Sequence, residues 1–290
     1  MRLDTLFETK AKIKKPVIAF EVFPPKKNAA VESVYGSLAK LAELPVDYIS
    51  VTYSAGGTGN TAYTGEMARH LKHDLLVEPL PHLTCYSSNR EDIASELAAF
   101  TEIGAENVMA LRGDANPDVL RSVDYTYASD LVRDIRSQSD IYIVGGCYPE
   151  KHQESKSLED DIEALKTKVD AGVGHLVTQL FFDNGKYYAF LDKVRQKGID
   201  CLIEAGTMPI VRPDQVDRIL PLSGASIPGE FQRLIERYAD DAESFYSAGL
   251  DYSVRQIREL IEQGAPGVHL YVMNRADVAA EICEGIADLL

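Results

Sequence analysis

Eight short runs rich in Val, Ile, Leu, Tyr and Phe recur along the chain: Val17–Phe23, Tyr48–Tyr53, Leu80–Cys85, Asn107–Arg112, Ile141–Tyr148, His175–Phe182, Cys201–Met208 and Val268–Met273. Between these strand-like runs, apolar residues fall at helical spacing, as in Ile93, Leu97 and Ala98, or Ile162, Leu165 and Val169. Some helix ends are legible. Ser88 with Glu91 reads as a capping box and Gly104 as the stop; Ser157 with Asp160 opens a second helix and Gly172 closes it.

Strands joined through helices pair in parallel, because parallel neighbours need long right-handed crossovers. Most repeats run to about thirty residues, near the size of a βα unit. The interval before the eighth run is longer. It holds two further stripes, Phe231, Leu234, Ile235 and Tyr238, then Val254, Ile257, Leu260 and Ile261. The pattern predicts an α/β fold, a closed (β/α)8 TIM barrel with extra helices between the seventh and eighth strands. Residues 1–290 would form one catalytic domain, and an open doubly wound sheet is the alternative. The 290-residue length suits a barrel, which usually takes about 250.

Charge and cysteine usage narrow the partners. Forty-five Asp and Glu against 30 Lys and Arg leave a net charge of −15, which repels nucleic acid and anionic membrane. An anionic small molecule would need local cations to overcome that field. Cys85, Cys147, Cys201 and Cys283 form no CxxC pair. Met1–Lys15 lacks a signal-peptide apolar run, and no stretch approaches the ~18 apolar residues of a membrane span. A reducing, cytoplasmic setting is expected.

In such a barrel the active site lies at the C-terminal ends of the strands. Glu21 is the sharpest residue there, because it interrupts Val17-Ile18-Ala19-Phe20-Glu21-Val22-Phe23. Burial disfavours a carboxylate's charge, which suits a general acid or base; the alternative is a structural bridge to a buried Arg or Lys. Arg112-Gly113-Asp114 offers a cation, a close-approach point and an anion, or else a turn with a surface ion pair. His82 reads as a base, a ring contact or a satisfied core histidine. Gln179 must find partners in the core or on a ligand. Gly56-Gly57-Thr58-Gly59 could approach a phosphate or form a mobile loop. His70 and His73, with no acidic or cysteine partner nearby, read as a solvated face and not a metal site. Phosphate-loop, GxGxxG, HExxH and GxSxG motifs are absent.

Together the strand ends resemble methylenetetrahydrofolate reductases of the short bacterial type. The resemblance rests on Phe20-Glu21-Val22-Phe23-Pro24-Pro25, Val51-Thr52-Tyr53, Pro81-His82-Leu83-Thr84-Cys85, Leu111-Arg112-Gly113-Asp114, Tyr127-Ala128-Ser129-Asp130, Tyr148-Pro149-Glu150, Lys168-Val169-Asp170-Ala171-Gly172, Thr178-Gln179 with Phe181-Phe182-Asp183, and Asn274-Arg275-Ala276. It implies a (β/α)8 flavoprotein that reduces 5,10-methylenetetrahydrofolate to 5-methyltetrahydrofolate. The electrons would come from NADH or NADPH through FAD, in a ping-pong sequence feeding methionine and one-carbon metabolism.

By position, the resemblance makes Glu21 the acid that opens the folate imidazolidine ring to an iminium. Asp114 becomes the carboxylate near flavin and pterin. Thr52 falls on the nicotinamide side, and Gln179 is shared between folate and nicotinamide. Tyr53, Ala55, His82, Arg112, Gly113, Tyr127, Ala128, Tyr148, His152, Asp161 and Lys168 match FAD contacts, while Gln215 and Arg275 match folate contacts. Val173 and Ile219 depart from relatives that carry alanine and phenylalanine there. The end at Leu290 leaves no room for the regulatory domain of eukaryotic relatives. No metal is implied, and a homo-oligomer is expected. Two rival readings stand beside this one: a flavin reductase fed by a protein partner, and a pterin- or flavin-binding barrel without turnover.

Overall fold

The computed structural model describes residues 1–25, 30–53, 61–115 and 117–290. Strands β1 (Val17–Val22), β2 (Tyr48–Val51), β3 (Glu78–Thr84), β4 (Asn107–Leu111), β5 (Tyr142–Cys147), β6 (His175–Thr178), β7 (Leu202–Thr207) and β8 (Gly267–Leu270) pair in parallel, in sequence order, and close with β8 against β1. The closed barrel was expected; the open sheet is excluded. Most strands stop short of the sequence runs, because residues such as Phe23, Tyr53 and Arg112 leave the ladder to build the rim.

Around the barrel lie α1 (Leu3–Lys12), α2 (Tyr35–Ala42), α3 (Thr61–Arg69), α4 (Arg90–Glu102), α5 (Ala128–Gln138), α6 (Leu158–Asp170), α7 (Asn184–Gln196), α8 (Pro213–Ser223), α9 (Gly229–Arg237), α10 (Ala242–Glu262) and α11 (Ala276–Gly285). Helices α8 to α10 are the extra material between β7 and β8. They bury Val216, Phe231 and Phe245 against Leu180 and Phe182 in a satellite core.

Alternate strand residues face opposite sides. Ile18, Phe20 and Val22 of β1 therefore pack outward with the helices, while Val17 and Ala19 point into the barrel with Tyr48, Leu80 and Met109. Glu21 shares the inward parity. Helix α1 lies across the lower end. Leu3 and Phe7 are buried, the Leu3 N–H donates to Asn107 Oδ1 at 2.8 Å, and the Phe7 ring meets His175 edge-on at 4.7 Å.

Two local expectations are corrected. The cap of α4 is Asn89, not Ser88: Asn89 Oδ1 accepts from the Glu91 and Asp92 N–H groups at 2.8 and 2.9 Å, and Asp92 accepts from the Asn89 N–H. An Asn–Asp pair closes the box one residue later, and the Ser88 hydroxyl donates instead to Thr84 O at 3.2 Å. Ala98 is exposed, and Phe100 completes the buried stripe with Ile93 and Leu97. The other ends are as read. Ser157 accepts from the Asp160 N–H at 3.1 Å, and Gly104 and Gly172 follow their helices with φ of 73° and 127°.

Candidate active site

Glu21 sits on the last turn of the pleat of β1, opposite Ser50 of β2 in register, and is 8% exposed. The end of its strand is clamped to β8. Asn274 accepts from the Phe23 N–H at 2.8 Å and returns an amide hydrogen to Phe23 O at 3.0 Å. The groups facing the carboxyl are imidazoles: His82 Nε2 stands 3.6 Å and His269 Nε2 3.7 Å from Glu21 Oε2. Among the described residues no Arg or Lys pairs with it, and the structural bridge weighed from the sequence does not form within them. Burial pushes the His82 imidazole down to about 4 against the opposing pull of Glu21, so it is neutral at pH 7. Its Nε2 is buried without a hydrogen-bond partner among the described residues.

Elsewhere on the rim, the segments after β4 and β5 bring together a cluster of charged and aromatic side chains. Arg112 forms the ion pair anticipated for it, but with Glu154 and not Asp114: its two terminal nitrogens reach the carboxylate at 2.5 and 2.7 Å. That bond, ahead of burial, raises the guanidinium's pKa. Gly113 takes the turn with φ 88°, and a Cβ there would meet Thr84 Cβ at 3.2 Å. Asp114 is exposed, and its charge is felt by Tyr148, whose ring meets His152 edge-on at 4.7 Å. Burial, then the Arg112 charge, lowers the pKa of His152. Asp161 holds the loop, accepting from the His152 N–H at 3.0 Å and the Ser155 hydroxyl at 2.9 Å. Lys168 reaches back from α6 to donate to Gly146 O, and burial lowers its ammonium pKa.

The remaining residues are spread around the rim. Thr52 is half-buried and its N–H donates to Val22 O at 3.0 Å; Tyr53 packs on the core. Ala55 and the Gly56–Gly59 cluster lie outside the described residues. Gln179 is half-buried beside Cys147, whose carbonyl takes its N–H at 2.7 Å. Tyr127 is 63% exposed, next to Ala128 at the start of α5. Gln215 has its amide oxygen committed to the cap of α8, accepting from Val211 and Arg212 N–H groups at 2.9 Å each. Arg275 precedes α11 and is paired with Asp277 at 2.6 Å. The expectation that His70 and His73 lack an acidic partner is corrected: His70 pairs with Asp74, one helical turn on, at 2.7 Å and stacks on Tyr35, while His73 bonds Ile103 O at 3.0 Å. No metal-binding group of His, Cys, Asp or Glu occurs among the described residues.

Sequence reasoning passed over Tyr48, Glu204, His269, Tyr271 and Glu154. Glu204 and His269 carried the signal that exposed Glu21, a titratable residue inside an apolar run. Glu154 carried none, since it is one acid among 45 in an exposed loop.

A parallel barrel with an acid buried in its mouth and charged and aromatic side chains clustered after β4 and β5 defines a (β/α)8 protein built to act at its C-terminal rim. Residues 6–287 match the family model described as methylenetetrahydrofolate reductase, and the chain belongs to that family. It is 31% identical to 5,10-methylenetetrahydrofolate reductase of Escherichia coli, over 97% of this chain and 94% of that protein. It is 34% identical to methylenetetrahydrofolate reductase 1 of Schizosaccharomyces pombe, over 93% of this chain and 46% of that longer protein. Among solved structures, a Clostridium thermocellum protein described as binding two copies of 5-methyl-5,6,7,8-tetrahydrofolic acid superposes with TM-score 0.62 at 14% identity, over 97% of this chain and 99% of that one. That likeness speaks for the fold.

Proposed function

We propose that this chain, acting as one catalytic domain over residues 1–290, reduces 5,10-methylenetetrahydrofolate to 5-methyltetrahydrofolate with NADH or NADPH and FAD. The two half-reactions alternate in ping-pong fashion and serve methionine and one-carbon metabolism. The observation that carries the reading, beside family membership, is Glu21: an acid at the barrel mouth, faced by two imidazoles and by no cation among the described residues. Such a group can hold a proton and deliver it to a folate nitrogen, opening the imidazolidine ring to the cation that accepts hydride.

The charges of this cluster suit a dinucleotide. Arg112 and Lys168 supply charge for a pyrophosphate, with His152, Tyr148 and Asp161 shaping the loop between them. His82, its Nε2 unpartnered among the described residues, and Thr52, Tyr53, Ala55, Gly113, Tyr127 and Ala128 are assigned to the same cofactor. FAD, when bound, supplies hydride acceptance and donation. Asp114 would favour the positive charge that develops on the folate, and Gln179 would orient folate and nicotinamide in turn. Gln215 and Arg275 would hold the folate's distal part, Gln215 only after releasing its cap. The free thiols and the absence, among the described residues, of a helix long and apolar enough to cross a membrane support a cytoplasmic assignment. A homo-oligomer remains our expectation.

The test is Glu21→Gln, which keeps shape and hydrogen bonding but cannot donate that proton. Stopped-flow absorbance should show flavin bleached by NAD(P)H at near wild-type rate. Reoxidation by methylenetetrahydrofolate should be slower by about 10²–10⁴-fold. Wild-type reoxidation in the variant would sink the assignment.

A further inference from the structure

The barrel interior holds a second polar system, below Glu21, that the proposed chemistry does not use. Tyr48, Ser50, Glu204 and His269 are all fully buried. The Tyr48 hydroxyl donates to Glu204 Oε2 at 2.5 Å, and His175 Nε2 stands 3.2 Å from the same oxygen. A phenol has one hydrogen, and burial, then the Glu204 charge, pushes Tyr48 ionisation well above the usual range, so the hydrogen stays. The 3.0 Å contact between the Tyr48 oxygen and His269 Nδ1 is therefore donated by the imidazole. In a neutral ring that leaves Nε2 bare. It accepts from the Ser50 hydroxyl at 3.0 Å, and this bare nitrogen stands 3.7 Å from Glu21 Oε2.

We propose that Glu204 acts through Tyr48 as a positioning residue, locking His269 in the Nδ1–H tautomer so that a bare nitrogen, and not an N–H, stands beside Glu21. This rests on the reading of Glu21 as the acid. A lone pair disfavours negative charge on the oxygen opposite, whereas an N–H would stabilise it. The lock thus keeps a stabilising N–H away from the Glu21 carboxylate. The other titratable or charged groups bearing on Glu21 do not replace it. His82 on β3 is neutral, with an Nε2 that has no hydrogen-bond partner among the described residues. Tyr271, just past β8, spends its hydroxyl hydrogen on Thr178 O at 2.6 Å. From β2 come only Tyr48 and the uncharged Ser50, and no Arg or Lys pairs with Glu21 among the described residues.

The chain has only six histidines, so nitrogen-15 spectra of histidine-labelled, flavin-loaded protein can read each tautomer, with His269→Asn identifying the His269 signals. Wild-type His269 should be in the Nδ1–H form. Tyr48→Phe removes the acceptor for that hydrogen and should convert the ring to Nε2–H, with the Ser50 hydroxyl now accepting. Glu204→Leu should do the same, by removing the acceptor of the Tyr48 hydrogen and freeing it to donate to Nδ1. In either variant the alkaline limb of flavin reoxidation by methylenetetrahydrofolate should move down by about one pH unit, roughly tenfold in rate above the limb. Flavin reduction by nicotinamide serves as the internal reference. An Nε2–H ring in the wild type, or a tautomer untouched by Tyr48→Phe, overturns the proposal. A tautomer that changes while the folate limb stays put upholds the lock and counts against Glu21 as the acid. The wild-type spectrum decides the first point even if a variant fails to fold.

Discussion

Arg112 is already occupied by an anion of the protein's own making. The Glu154 carboxylate grips it through both oxygens, and a phosphate bound there as proposed would have to displace that carboxylate. Glu154→Gln removes the competitor and keeps its shape. The Glu154 side chain is 55% exposed and that of Arg112 19%, so solvent screens most of the attraction. Exposed pairs are worth about 0.2–1 kcal/mol, and two-point geometry with one sheltered partner places this one near the top, at about 1 kcal/mol. Releasing it should tighten FAD binding about fivefold. Flavin-fluorescence titration of the apoprotein reads this directly. The gain should shrink near 1 M salt, where the screening length falls to about 3 Å. Glu8→Gln, on exposed α1 at the opposite end of the barrel, changes net charge equally and should leave affinity alone. Unchanged or weaker FAD binding in Glu154→Gln, or the same gain in Glu8→Gln, would refute the reasoning.

Three further outcomes are expected. Lys168→Met removes a cation assigned to the cofactor phosphates and should cut flavin retention on gel filtration at least about tenfold; full retention would undo that assignment. His82 is depressed from 6.5 to about 4 in the folded protein. Its stabilisation is therefore complete above the unfolded value and is lost as pH falls toward 4, by at most ~3 kcal/mol. Urea melts at successive pH values should show this slope in the wild type and a flatter one in His82→Gln. A Cβ on Gly249 would lie 2.0 Å from Ile210 O, so Gly249→Ala must push α10 off the barrel, whereas Gly36 has open space around it. The first change should cost about 1–3 kcal/mol in thermal melts, and Gly36→Ala, inside α2, should be neutral or stabilising by up to ~1 kcal/mol.

The barrel was legible because each strand carries its own evidence, a short apolar run with a helix after it. Glu21 stood out for the same local reason. The polar system beneath it was not legible as a system, since Tyr48 and Glu204 are 156 residues apart and meet only when β2 and β7 face each other across a closed barrel. Local parity would have turned Glu204 and His269 inward, but only the closed register brings Glu204 to Tyr48 and His269 to Ser50. The cap of α4 slipped by one residue because Ser and Asn cap equally well, and a neighbouring acid suits either. Arg112 shows the converse: an ion pair was weighed from Asp114 two positions on, yet the chain supplied one from a different loop.

Helix α1 gives the barrel a floor. With Leu3 and Phe7 pressed into the lower end, the interior communicates with solvent at the rim, and every visitor to Glu21 arrives by that doorway. In the proposed reaction a nicotinamide and a pterin each lie against the same small group of atoms, and could not queue from opposite sides. One would have to vacate before the other was admitted. Traffic, and not chemistry alone, would then set the tempo: an excess of either visitor would loiter on the threshold and hold the other outside.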